Sequence, residues 1–403
     1  MILGMQNVMK GKIYLRLSRY LILVPALFFL KCANNDKRQT IQLGEPKTIG
    51  KGNDLNYKIL NTFIINLDSL TPIEEIRIFI NRKENKVSIV NFINQSIDYY
   101  DLATGNLKFR CQIFEHESKY LKIANGIQRA NGFLFLTKPN LNNSFIVDDS
   151  CNNIKGNIIS NAYAFTDDVN SITNVDNGSW GGPVLKNNNI YFINLPFIDP
   201  KSDWETRKRY LYERKYSMNE SKLSSIPIIQ PETYKNINLH NYNLIPFRAF
   251  NKDSNLFVYS WPSSNIISIY NISDETVNNR EIISPSIAPS NIPVSEEPEI
   301  NVALKSVMFG SIFYDNVHKV YYRIVLHPFM PDVLIRPLYL NIFNKPITIQ
   351  VLNDKLEELG IVVINEKYIY TKTLVQDGHL FLVKNWLNKG EDHLIIDEIE
   401  IIL

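Results

Sequence analysis

Three side chains are the strongest candidates for ligand binding: Trp180, Arg248 and Arg323. Trp180 stands in the run Ser179-Trp180-Gly181-Gly182-Pro183, where its indole could stack on a sugar or a peptide or could pack inside the protein. Arg248 and Arg323 lie within apolar, strand-like runs. Each guanidinium therefore needs an acceptor, which is either a buried carboxylate of the protein or an anionic ligand.

Catalytic residues, metal ligands and cofactor sites have no recognisable motif in this chain. It lacks a zinc-protease helix motif, a Cys-x-x-Cys pair, a nucleophile elbow and a glycine-rich phosphate loop. Adjacent acids such as Glu357-Glu358 could include a hydrolytic acid, but neighbours on a strand point to opposite faces. The six histidines stand singly: His116, His240, His318, His327, His379 and His393. We therefore predict no catalytic residue, metal ligand or cofactor, which favours a role other than catalysis.

The first 31 residues have the composition of an export signal. They contain five basic residues and no acid, and an apolar run at 20–30 precedes Cys32. That run is about half the length that a membrane-spanning helix needs. We predict a cleaved lipoprotein signal peptide at 1–31 and lipidation of Cys32, although Lys31 replaces the small residue usual there. The alternatives are an ordinary signal peptide or a short N-terminal anchor.

The other two cysteines, Cys111 and Cys151, would then lie in an oxidising compartment. They could form a disulfide with each other or remain as two buried thiols. They are too few and too far apart in the sequence for a zinc site.

The charge of the chain argues against nucleic-acid binding. The formal net charge is +2, and all five charges of residues 1–31 are positive, so the remaining body is weakly acidic. It also has no basic stripe interleaved with aromatic residues.

The elements that must position these side chains are short strands. Apolar and β-branched runs recur between turn residues, and a first unit of four strands is predicted at 76–79, 86–91, 97–100 and 107–113. Five similar units follow, with first strands predicted at 123–128, 182–185, 245–249, 309–313 and 368–374. The chain is therefore predicted to be all-β, a β-propeller of six four-stranded blades at 56–403. An early strand at 60–67 is expected to close the last blade beside a C-terminal strand at 394–401, and 32–55 is expected to be a flexible tether.

Several short runs resemble a known family. They are Phe29-Leu30-Lys31-Cys32, Phe313-Tyr314-Asp315 with Lys319-Val320-Tyr321-Tyr322-Arg323, and Asp377-Gly378-His379-Leu380-Phe381. Together with the repeats they resemble the Bacteroides-type lipoproteins grouped as domain-of-unknown-function family 4221. The resemblance implies a propeller-like fold and a lipid anchor, and it brings no activity with it.

These features give three hypotheses for function. The first is a lipid-anchored binding or scaffold module for a glycan, peptide or protein partner, expected on the periplasmic side of the outer membrane, with the cell surface as the alternative. The second is a carbohydrate-active hydrolase or lyase whose carboxylates come from different blades. The third is a structural lipoprotein that works through a rim surface. Acids with raised pKa values at the axis would favour the enzyme, and an apolar or aromatic axis would favour binding.

Overall fold

A computed structural model describes most of the body of the chain. The described residues are 54–68, 76–91, 96–112, 126–130, 133–137, 144–148, 154–156, 174–175, 181–195, 202–220, 222–237, 243–285, 287, 299–332, 334, 338–385 and 392–403. The predicted signal peptide, nearly all of the predicted tether, Trp180 and Cys151 lie outside these residues. No helix among the described residues is long and apolar enough to cross a membrane.

The described residues form a β-propeller of antiparallel sheets, named A to F here in chain order. Sheet A contains β2 (Ile76–Asn81), β3 (Lys86–Asn91), β4 (Ser96–Asp101) and β5 (Leu107–Gln112). Sheet B contains β6 (Gly126–Ala130), β7 (Phe133–Thr137), β8 (Ser144–Asp148) and β9 (Ile154–Gly156). Sheet C contains β10 (Asn174–Val175), β11 (Val184–Lys186), β12 (Asn189–Leu195), β13 (Glu213–Ser217) and β14 (Lys222–Ile226).

The remaining sheets complete the ring of strands. Sheet D contains β15 (Phe247–Asn251), β16 (Leu256–Ser260), β17 (Ile266–Asn271) and β18 (Thr276–Glu281). Sheet E contains β19 (Met308–Asp315), β20 (Val320–Leu326), β21 (Ile347–Asn353) and β22 (Glu358–Ile364). Sheet F contains β23 (Leu374–Gln376), β24 (His379–Val383), β25 (His393–Ile402) and β1 (Asn56–Asn66). The helices of the described part are Trp204–Arg207 and Glu299–Lys305, with 3-10 turns at Glu232–Asn236, Leu338–Asn344 and Tyr370–Lys372.

The prediction of six four-stranded blades is wrong in its strand count. Five of the described sheets have four strands, and sheet C has five. The seven-residue strand β12 is longer than β11, which pairs only with its first three residues. The last two residues of β12, Asn194 and Leu195, pair with β10 instead. The first strand predicted at 368–374 is also displaced, because Tyr370–Lys372 forms a 3-10 turn and β23 begins only at Leu374.

The two ends of the described body pair with each other in sheet F. Strand β1 is antiparallel to β25, from Asn56 opposite Ile402 to Asn66 opposite His393. Because sheet F has the order β1-β25-β24-β23, the N-terminal strand is its outermost strand. The predicted closure by the N-terminal strand is confirmed.

The tight turns of the sheets share one local signal. An Asn or Asp at the end of a strand accepts a hydrogen bond from a backbone N–H two or three residues later, as Asn81 does from Glu84 (3.2 Å) and Asp315 from Val317 (2.8 Å). This side-chain bond substitutes for a backbone turn bond. The next strand is entered through a residue with positive φ: Asn85 (50°), Asn255 (55°) and Lys319 (58°). The turn residues therefore set where each strand begins.

The core lies between neighbouring sheets. Sheets F and A share a cluster of fully buried side chains that includes Ile65, Val87, Ile89, Phe381 and Ile396. Burying an aliphatic or aromatic side chain of this size stabilises the fold by about 1.5–3 kcal/mol. The first and last sheets are thus joined by packing as well as by the β1–β25 ladder.

Candidate functional site

Two cavities lie between the first strands of the sheets, which are the strands nearest the axis of a propeller. The first axial cavity has a volume of about 190 Å³, and the second has a volume of about 210 Å³. Val375 of β23 lines both cavities. The first is lined by Gly181, Gly182, Val184, Arg248, Ala249, Phe250, Ile312, Phe313, Tyr314 and Val375. The second is lined by Ile78, Phe79, Ile80, Leu374, Val375 and Gln376.

Most of the side chains that line the two cavities are apolar, and Arg248 and Tyr314 add polar groups to the first cavity. Phe250, Phe313 and Tyr314 are half-buried, so their rings remain partly accessible at the first cavity. The charged residue among the described lining is Arg248, and the lining includes no carboxylate. Among the described residues, these two cavities therefore have apolar and aromatic side chains in their lining and no acid.

Arg248 is neutralised inside the protein. Its guanidinium forms a buried ion pair with Glu213 of β13, and both side chains are at most 1 % exposed. The same guanidinium donates hydrogen bonds from Nη2 to the carbonyl oxygens of Gly181 (2.9 Å) and Gly182 (2.5 Å) and lies over the ring of Phe257. Arg248 therefore has a buried carboxylate partner and holds one wall of the first axial cavity, while direct contact with a ligand stays a prediction.

Gly181 is required at this wall by its backbone. Its φ of +119° is a conformation that side chains rarely adopt. A Cβ atom at this position would also be 2.3 Å from the carbonyl oxygen of Arg248. The segment that directly follows Trp180 in the sequence is therefore fixed against the axis. The ligand-binding role of Trp180 itself lies outside the described residues and stays a prediction.

Arg323 has a different environment and lines neither axial cavity. It is fully buried in β20, where Nε donates to Ser260 Oγ (2.7 Å) and Nη2 donates to the carbonyl oxygen of Ser264 (2.9 Å). Its third nitrogen, Nη1, has no hydrogen-bond partner among the described residues, and the guanidinium lies 3.5 Å from the centre of the Phe309 ring. Burial lowers the pKa of Arg323 to about 9. The structure thus does not bring Arg323 together with Arg248, and its predicted contact with a ligand stays a prediction.

Two acids that the sequence analysis passed over are fully buried in the last strand. Glu398 accepts a hydrogen bond from Asn61 (2.7 Å) and contacts Arg82 (2.6 Å) and His379 (2.5 Å). Asn61, Arg82 and His379 lie in β1, the first turn of sheet A and β24, so the Glu398 carboxylate joins these three elements. We call these four residues the Glu398 cluster. Its sequence signal is a pair of acids between Ile396 and Ile399 in a strand, because carboxylates at such positions must be paired.

The neighbouring acid, Asp397, points to the opposite face of β25. It accepts hydrogen bonds from Thr62 Oγ1 (2.7 Å) and from the hydroxyl of Tyr368 (2.5 Å), and Lys384 lies 3.0 Å away. Asp397 and Glu398 together fasten β1 to the rest of sheet F from both of its faces.

The described residues include one of the three cysteines. Cys111, in β5, is disulfide-bonded. The other two cysteines of the chain lie outside the described residues, so the pairing with Cys151 stays a prediction. Among the described residues, no three His, Cys, Asp or Glu side chains are grouped closely enough to hold a metal ion.

Comparison with solved structures shows the fold. A member of domain-of-unknown-function family 4221 from Bacteroides vulgatus superposes with a TM-score of 0.67 at 17% identity, covering 87% of this chain and 99% of that one. A luciferin-regenerating enzyme has a TM-score of 0.45 at 8% identity and covers 84% of this chain and 95% of its own. A calcium-binding regucalcin from Agrobacterium tumefaciens has a TM-score of 0.44 at 7% identity, with coverages of 86% and 95%. At these identities the likeness supports the β-propeller and nothing finer. No family model and no curated protein matches the sequence.

Proposed function

We propose that this chain is a lipid-anchored binding module whose axial cavities take a neutral, apolar group of a peptide. The observation that carries the proposal is the first axial cavity, with its half-buried aromatic rings and its internally paired Arg248. The lipid anchor at Cys32 and a place on the periplasmic side of the outer membrane rest on the N-terminal sequence.

The size of the cavities supports a ring-sized or branched apolar group. An apolar cavity of about 150 Å³ in a protein core is known to bind benzene. The two axial cavities measure about 190 and 210 Å³ and share Val375, so each has room for one such group. Each buried CH₂ group of a ligand contributes about 0.8 kcal/mol.

The backbone supports a peptide over a charged glycan. Strands β2, β15, β19 and β23 are each the last strand on one side of a sheet, which leaves one backbone edge of each facing the axis. Addition of a peptide strand to the edge of a sheet, beside pockets for its side chains, is a recurring mode of peptide recognition. Because the Arg248 charge is already paired with Glu213, an acidic ligand would gain little from it.

A peptide and glycan array tests this proposal. The wild-type chain, Trp180→Ala and the cavity-filling Ala249→Leu would be compared with Val363→Ala, which changes an exposed side chain on the outer strand β22. We expect the wild type and Val363→Ala to bind apolar peptides and the other two variants to lose at least tenfold in affinity. Equal binding by all folded variants would contradict an axial site. Cleavage of an arrayed glycan would instead support the hydrolase or lyase hypothesis.

A further inference from the structure

The ring of Tyr370 lies across one end of the axial strands. Tyr370 begins the 3-10 turn that directly precedes β23 in sheet F. Its ring makes an edge contact with Phe247, the first residue of β15 in sheet D, at a centroid distance of 6.2 Å and an interplanar angle of 72°. It makes a second edge contact with Phe343 at 6.1 Å and 61°. The ring therefore reaches from sheet F to the first strand of sheet D.

Sheet E, which lies between them in chain order, is shaped around this ring. The pairing of β19 with β20 shifts between Phe309 and Ile312, which places a bulge at Gly310 and Ser311. A Cβ atom at Gly310 would be 3.0 Å from Cδ2 of Tyr370, tighter than ordinary contact. Ser311 Oγ donates a hydrogen bond to the carbonyl oxygen of Tyr370 (3.3 Å). Gly310 of the bulge thus leaves space for the Tyr370 ring, and Ser311 of the bulge binds the backbone of Tyr370.

The first axial cavity lies one layer of residues away from the ring. Phe247 stands two residues before Ala249, which lines the cavity, and two residues of a strand span roughly 6.6 Å. Ala249 and Ile312, both lining residues, belong to the same apolar cluster as Phe247, and Tyr370 packs against that cluster. The ring therefore closes the end where the first strands begin, and the cavity extends toward the end where they turn.

We infer that Tyr370 is the floor of the axial site and sets the greatest length of apolar chain that the site accepts. This inference rests on the proposed function, since it concerns the same cavities. The ligand class is the neutral apolar group of a peptide proposed above, which enters from the turn end and is stopped by the Tyr370 and Phe247 rings. Shortening the side chain at 370 deepens the site by part of one layer.

A homologous series of neutral straight-chain alcohols tests the floor. Each alcohol would displace the neutral fluorescent probe N-phenyl-1-naphthylamine from the full chain. For the wild type we expect affinity to rise about fourfold per added carbon, the equivalent of 0.8 kcal/mol, and then to stop rising at a definite length. In Tyr370→Leu, which keeps apolar contact with Phe247 and Phe343, the rise should continue to longer alcohols. Tyr370→Phe keeps the ring and should keep the wild-type limit.

The outcomes separate the inference from the proposed function. If the wild type binds neither the probe nor any alcohol, the proposed apolar site fails. If the wild type binds the series but Tyr370→Leu, shown to be folded by its thermal melt, stops at the same length, the floor is overturned and the site is retained. If Tyr370→Leu does not fold, Tyr370→Met takes its place, because it also removes the ring and should let the rise continue to longer alcohols. An unchanged limit in that folded variant also overturns the inference.

Discussion

The axis and the seam of this propeller use their polar residues in opposite ways. At the seam, where β1 joins the last sheet, two fully buried carboxylates each contact three side chains. At the two axial cavities, most of the lining side chains are apolar or aromatic, and the Arg248 charge there is paired with Glu213. Both regions are built from the same short strands and turns.

The difference indicates where directional interactions are needed. The seam joins strands more than 330 residues apart in the chain, so a ladder slipped by one residue would place Asp397 and Glu398 on the wrong faces. Buried charges oppose such a slip because each must keep its partners. The axis has no register to maintain, and the proposed function uses it to select a ligand by shape and apolar area.

The largest expected effect comes from breaking the paired charge at the axis wall. Glu213→Ala leaves Arg248 buried without its carboxylate, and we expect the free energy of unfolding to fall by about 3–5 kcal/mol. Urea denaturation monitored by tryptophan fluorescence would measure the loss. A loss below about 1 kcal/mol would show that water reaches the Arg248–Glu213 pair.

A smaller loss is expected at the seam. Glu398→Gln keeps the volume of the side chain but removes the charge that Arg82 and His379 contact, so we expect a loss of about 1.5–3 kcal/mol. Binding of an apolar probe at the axis should be unchanged, because the Glu398 cluster does not line either cavity. Loss of probe binding in the folded variant would break the proposed separation of the two regions.

A pH-dependent effect on stability is expected at Arg323, because its buried charge, unlike that of Arg248, has no carboxylate partner among the described residues. Its pKa of about 9 in the folded chain lies below the ordinary value of 12.5, so the folded state binds fewer protons than the unfolded state above pH 9. Wild-type stability should therefore gain from this group as pH rises, by about 1 kcal/mol between pH 9 and pH 10. Arg323→Met should remove that gain and should leave stability at pH 7 unchanged or higher. We would compare urea midpoints of the two proteins at both pH values; parallel pH profiles would count against a buried, charged Arg323.

The smallest effect is expected from an exposed ion pair between sheets D and E. Arg280 and Glu357 are 3.6 Å apart, and their side chains are 43% and 57% exposed. Arg280→Ala should change the free energy of unfolding by less than about 0.5 kcal/mol. A larger change would mean that surface pairs also hold neighbouring sheets together, which would weaken the contrast with the Glu398 cluster.

Much of the fold could be predicted from the sequence because its signals are local. The turn residues and the alternation of apolar side chains place β3 at the residues expected and β4 and β5 within one residue of them. Local signals do not show that the last residues of β12 pair with β10. They also do not show that a 3-10 turn replaces the first part of the inner strand predicted at 368–374. Those outcomes depend on which neighbour lies beside each segment.

The candidate site was less accessible to prediction. The sequence shows that Arg248 needs an acceptor. Its partner Glu213 is 35 residues away along the chain and can be identified only once sheets C and D are seen to pack side by side. Asp397 and Glu398 resemble other adjacent acids of the chain, such as Glu357-Glu358, yet Glu357 is exposed and Asp397 and Glu398 are buried. Burial of an acid depends on the sheets on either side of it, which a short run of residues does not reveal.

The most direct test of an apolar binding site at the axis is a crystal structure of the chain under xenon pressure. Xenon enters apolar cavities without requiring any polar contact. The proposal predicts xenon between the first strands, within contact of Ala249, Ile312 and Val375, and its loss in Ala249→Leu. Xenon found only between the sheets, with the axial cavities filled by ordered water, would contradict it.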